Sequence, residues 1–95
     1  AGQRSQAPAL RRSLEMAAEM IRRDRPTSRA VVEAIVAFLA RQAPEGVTDY
    51  VEIVDPTGLS PVESTDDSVL VALAVRFGRA RLIDNILVDA GLSAS

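Results

Sequence analysis

The side chains that carry most enzyme chemistry are missing from this sequence. It has no His, no Lys and no Cys, and its eleven positive charges are all Arg, set against thirteen acids. A zinc site built on His or Cys is excluded. So are a Ser–His or Cys–His nucleophile and a Schiff-base lysine. The five glycines are scattered, so there is no glycine-rich phosphate loop. What remains is carboxylate and guanidinium. Asp66 and Asp67 adjoin Ser68, but neighbouring residues entering a strand diverge, so this trio reads as a solvated turn and not as a metal site. Asp84 shares a strand face with Leu82, Ile86 and Val88. A partly buried Asp needs a partner, and Arg76, Arg79 or Arg81 across the adjacent hairpin are the candidates. A structural ion pair outranks a catalytic acid there. Glu52 reads as a surface strand residue or an ion-pair partner, and Asn85 as a residue bonding to nearby backbone. Arg22, Arg23, Arg25 and Arg29 surround a helix–helix turn, where the helix dipole accounts for Arg22 and Arg23 without a ligand. Arg76, Arg79 and Arg81 surround a hairpin turn. They read as solvated turn residues, with a nucleotide phosphate as the sharper alternative.

The elements that position these groups follow from composition and periodicity. Ninety-five residues make one small domain, 1–95. A chain of this size buries roughly 60–65% of its unfolded surface. Apolar residues at 47% can fill the core, and with only Phe38, Tyr50 and Phe77 aromatic the packing must be aliphatic. A net charge of −2 and so few stacking rings argue against a nucleic-acid partner. No run approaches ~20 apolar residues, so no membrane span is expected. Without Cys there is no disulfide framework. The start, Ala1-Gly2-Gln3-Arg4, has neither an initiator Met nor a signal-peptide layout and looks like a cut or processed end.

Ala7, Leu10, Leu14, Ala17 and Ile21 recur at spacings of three and four, which predicts a helix from about Gln3 to Arg23. Met16 and Met20 widen its apolar stripe. Pro8 belongs in its first turn, and Glu19 sits four residues before Arg23 as a supportive pair. Pro26 breaks this helix, and Thr27 or Ser28 can cap a second one running to about Gln42. Val31, Val32, Ile35 and Val36 permit a strand there, but length and the interspersed alanines favour a helix. Its nearly all-round apolarity predicts cover on more than one side. Ala43-Pro-Glu-Gly46 is a turn. Val47 to Val54 alternates imperfectly, as a strand does. Asp55 to Pro61 is a loop bounded by breakers. Val69, Val71, Leu73, Val75 and Phe77 line one face of a second strand. Gly78-Arg79-Ala80-Arg81 reverses the chain into a third strand, Leu82 to Val88. Gly91 to Ser95 reads as a frayed tail. The predicted class is α+β, two helices packed on a three-stranded, mostly antiparallel sheet, with Leu73, Val75, Ile35 and Leu39 in the core.

Two segments carry a family resemblance. Asp49-Tyr-Val-Glu-Ile-Val-Asp-Pro56 and Leu73-Ala-Val-Arg-Phe-Gly-Arg-Ala-Arg-Leu-Ile-Asp-Asn-Ile86, preceded by Gln3-Arg-Ser-Gln-Ala-Pro-Ala-Leu10 and the paired helices, resemble the carboxy-terminal domain of the pantothenate synthetase (pantoate–β-alanine ligase) family. The likeness covers nearly the whole chain, and the Val-Arg-Phe-Gly strand joined to Arg-Leu-Ile-Asp-Asn-Ile is its most specific part. It implies a cytoplasmic parent enzyme that uses ATP and Mg²⁺ to adenylate pantoate, after which the amine of β-alanine displaces AMP. It implies that the His-x-Gly-His motif lies in an amino-terminal, Rossmann-like domain, and that a Ser-Ser-Arg-Asn motif lies just upstream of Ala1. Neither histidine can map onto this chain. No catalytic, substrate-binding or metal-binding residue is therefore carried over, and no cofactor is expected in this fragment. The role left to it is a lid, with the amino-terminal catalytic domain as partner. The alternative is a non-catalytic binding or oligomerisation module that self-associates through an exposed sheet edge. A further domain after Ser95 would make the parent a bifunctional enzyme.

Overall fold

Two helices come first in the chain, and their apolar stripes decide how they pack. The computed structural model describes residues 8–89. Helix α1 spans Pro8–Asp24, and Ala9, Leu10, Ser13, Leu14, Ala17, Ala18 and Ile21 are its buried residues. The expected start near Gln3, with Ala7, lies outside the described residues. Arg25 ends the helix in the left-handed region at φ 50, its N–H bonded to the Ile21 carbonyl at 3.0 Å. Pro26 then prevents continuation. Arg23 turns to Asp24 at 3.3 Å instead of to Glu19.

Helix α2 spans Ser28–Gln42. Thr27 is its N-cap, accepting from the Ala30 N–H at 3.2 Å. Ser28, Val31, Ile35 and Leu39 form a single buried stripe. The first helix and the sheet both cover α2, with Val32 and Phe38 packed against the core beside the stripe, but its outer side is open: Val36 is 43% exposed, and Ala37 and Ala40 face solvent. The domain has one helix layer and one sheet, so nothing lies over that outer side of α2. Its many alanines make the open side cheap to hydrate.

The sheet follows as an antiparallel meander of order β1-β2-β3, from Val47–Val54, Val69–Phe77 and Ala80–Val88. Val69, Val71, Leu73, Val75 and Phe77 on the central strand are all at most 1% exposed. Fully burying a side chain of this kind contributes about 1.5–3 kcal/mol. Helix α1 packs on α2 and lies over β3, while α2 lies over β1. The opposite sheet face is open, with Ile83 58% and Leu87 49% exposed. The β2–β3 reversal is tighter than expected: only Gly78 and Arg79 separate Phe77 from its register partner Ala80, with Gly78 at φ 61. The expected tail, Gly91 to Ser95, lies outside the described residues.

Gly46 closes the turn from α2 into β1, donating to the Ala43 carbonyl at 2.9 Å. A Cβ here would stand 2.6 Å from Val75 Cγ1 and 3.0 Å from the Phe77 ring. Gly46→Ala is expected to overpack this corner and cost about 1–3 kcal/mol. Leu73→Ala, at 0% exposure, is expected to cost about 2–5 kcal/mol. Urea unfolding of both variants checks these values. A loss under about 1 kcal/mol at Leu73 would contradict its place under the helices.

Candidate functional site

Three polar constellations tie the described elements together. The first sits on the open sheet face. The β1–β2 register shifts between Thr48 and Tyr50, leaving Asp49 as the extra residue of a bulge. Its carboxylate accepts from Arg81 Nε at 2.9 Å and lies 3.4 Å from Arg76 Nε. Arg76 and Arg81 are direct cross-strand partners, a like-charge pairing that destabilises a sheet. The bulge carries a carboxylate to the place where the two guanidiniums would otherwise repel. Arg81 also lies over the Tyr50 ring, 5.8 Å from its centroid.

The second constellation involves Asp84. The residue lies on the core-facing side of β3 opposite Leu73, as expected, with 35% of its side chain exposed. Its partner is not an arginine of the hairpin. Arg76 and Arg81 have turned to Asp49, on the other sheet face. Arg11 of α1 reaches Asp84 at 3.5 Å and donates to the Asn85 carbonyl at 3.0 Å. The pairing has a physical cause: α1 lies over β3, so the partner cation comes from the helix layer and not from the turn.

The third joins the long β1–β2 connection to the interhelical turn. Thr65, at 0% exposure, donates to the Pro26 carbonyl at 2.6 Å. Ser28 N–H donates to the Glu63 carbonyl at 3.0 Å, and Arg25 to the Asp66 carbonyl at 2.7 Å. Asp66, Asp67 and Ser68 stand where a turn was expected, with Asp66 N–H bonded to Ser64 Oγ at 3.0 Å. Among the described residues no three Asp, Glu, His or Cys side chains come together as a metal site. Arg29 is engaged by Glu33 at 3.2 Å, one turn along the helix. Glu52 is an exposed strand residue.

Sequence reasoning missed Arg11, Asp49, Thr65 and Ser13. Ser13 is fully buried and donates to the Leu10 carbonyl at 2.7 Å, which lets a hydroxyl sit in the helix stripe. The imperfect alternation of Val47 to Val54 was the available signal for the bulge that lifts Asp49. No periodicity marks Arg11 as a partner for a residue 73 positions away.

In the first two constellations carboxylates hold guanidiniums, and in the third side chains and a backbone N–H bond to carbonyls across the loop. Comparison with known proteins places this geometry. The sequence profile of the family Pantoate-beta-alanine ligase matches residues 1–87. Pantothenate synthetase of Solidesulfovibrio magneticus is 40% identical over 85 residues, covering 90% of this chain and 30% of its own length. That of Bacillus subtilis is 36% identical over 89 residues, covering 94% of this chain and 30% of its own length. The crystal structure of pantothenate synthetase from Thermus thermophilus superposes with a TM-score of 0.77 at 33% identity, covering 88% of this chain and 30% of the other. The chain thus spans about 30% of the length of the relatives it matches.

Asp49→Ala is expected to leave Arg76 and Arg81 opposed without a counter-charge, at a cost on the order of 1 kcal/mol. The loss should shrink at high salt, where the repulsion is screened. Urea unfolding at low and high ionic strength checks both the size and the trend.

Proposed function

The chain belongs to the pantoate–β-alanine ligase family, and we propose that it is the carboxy-terminal lid domain of an ATP-dependent enzyme that condenses pantoate with β-alanine through a pantoyl adenylate. The supporting observation is a family match over residues 1–87 in a chain that spans only about 30% of its relatives' length. In this reading it is one part of a larger enzyme, and the part without the histidines that the family resemblance implies handle the phosphates.

We infer that ATP and Mg²⁺ are held outside this fragment. Among the described residues there is no acidic metal cluster. Arg76 and Arg81 are held by Asp49, and Arg11 by Glu15, Asp84 and the β3 backbone. No step of the reaction is assigned to them. In this reading the domain acts by covering. A small body closing over an acyl adenylate keeps water from a reactive mixed anhydride. Tethering supplies the effective concentration for closure without a strong interface. The outer surfaces suit a domain that works against another body: Ile83 and Leu87 on the sheet and Val36 on α2 are exposed apolar side chains.

The test is reconstitution. Isothermal titration of the 95-residue chain with ATP and Mg²⁺ should give no saturable binding, and pantoate with ATP should release no pyrophosphate. An amino-terminal half produced separately should show low ligase activity that rises when this chain is added or fused. Saturable ATP binding or pyrophosphate release by this chain alone would overturn the assignment. So would an amino-terminal half whose activity is indifferent to it.

A further inference from the structure

Both outer strands of the sheet are edges, and an edge is a template for another strand. β3 is the more exposed hazard. It is nine residues long, Ala80–Val88, rich in branched aliphatics, with Ile83 58% and Leu87 49% exposed. Its pairing with β2 runs without a register shift. Every second residue of β3 must therefore aim its N–H and C=O away from the sheet.

Asn85 is one of these outward residues, and side chains occupy both of its backbone groups. Its N–H donates to Asp84 Oδ1 at 2.8 Å, and its C=O accepts from Arg11 Nη1 at 3.0 Å. Arg11 Nη1 lies 3.5 Å from the same Asp84 oxygen, and Arg11 Nε lies 3.7 Å from Glu15. Asp84 is a charge on the core-facing side of an edge strand, in register with fully buried Leu73. An inward-pointing charge on an edge strand is a recognised barrier to further pairing. As a stabilising ion pair the contact explains little, because Arg11 and Asp84 are 48% and 35% exposed. As an obstruction it explains why three polar groups converge at the middle of the longest open edge.

The other edge is closed by different means. β1 carries the Asp49 bulge, and the Ile53 carbonyl is taken by the Val62 N–H at 3.1 Å. Val54 pairs with Pro61, which has no N–H to pass the ladder on. We propose that Arg11, Asp84 and the Asn85 backbone form a plug that closes the β3 edge to strand addition by a second copy of the chain.

Two measurements test this. In the unaltered 95-residue chain, amide exchange should be slower at Asn85 than at the outward amides of Ile83 and Leu87 by about tenfold or more, since only the first is bonded. Equal rates at the three positions would overturn the plug. Second, the double variant Arg11→Met/Asp84→Thr should move by light scattering from monomer towards dimer as concentration rises, with its far-UV circular dichroism retained. Adding Asn85→Pro, which costs no β2–β3 hydrogen bond, should return it to monomer. A folded double variant that stays monomeric counts against the proposal. So does association that survives Asn85→Pro, because it would run through the open sheet face, and so does an unaltered chain that already dimerises through β3.

Discussion

Burial of one face of β2 under two helices is the constraint on which the rest of this domain depends. Five alternating side chains, Val69 to Phe77, are removed from water almost completely. They are the only row in the sheet covered throughout, because β1 and β3 each present half-buried positions to the helices. The helices need one stripe each to cover it, and one stripe each is what they bury. With aliphatic side chains dominating the core, shape fit decides the register, and a slip of one residue would turn the whole row outward. Gly46 is shaped by the same demand, since the chain can pass over Val75 and Phe77 only without a Cβ.

A one-layer core leaves the periphery to be organised by polar contacts. The β1–β2 connection is long and has little apolar content to anchor it. It is tied instead through Thr65 to Pro26, through Glu63 to Ser28 and through Asp66 to Arg25. Asp55 stiffens the first part of this loop by accepting from Thr57 and Gly58. These bonds hold the interhelical turn against the sheet layer. They also bring Pro61 and Val62 alongside β1, so the loop serves both as a link and as a cover for that edge.

Much of this was legible in the sequence, for identifiable reasons. The period-two row of β2 and the three-and-four spacing of α1 are strong signals because each side chain on the buried face is apolar. The Pro26 break and the Thr27 cap are local chemistry and read correctly. The failures share a different cause. α1 and β1 both cover α2, but its outer side stays open, because composition does not tell how many layers the fold supplies. The partner of Asp84 was sought in the nearest hairpin, whereas the helix layer placed Arg11 closer. Thr65 and Ser13 are buried hydroxyls whose satisfaction depends on carbonyls that only the folded chain presents. The family likeness was legible because two strand motifs, Asp49 to Pro56 and Leu73 to Ile86, carry it within a match over residues 1–87.

The internal ion pairs limit what their guanidiniums can offer a ligand. A guanidinium available to a ligand phosphate must be held in place yet keep donors unspent. Arg76 and Arg81 are held, but by a carboxylate that cancels half of their charge and fixes them against Tyr50 and the bulge. Arg11 is held by two carboxylates and a carbonyl. Such residues stiffen a surface more than they recognise an anion. With Arg11, Arg76 and Arg81 turned to carboxylates of the same chain, the outward-facing Ile83, Leu87 and Val36 present apolar area to whatever the domain meets. In the proposed reading that suits a cover: it can close on a reacting partner without competing for the phosphates that the partner's own residues must hold.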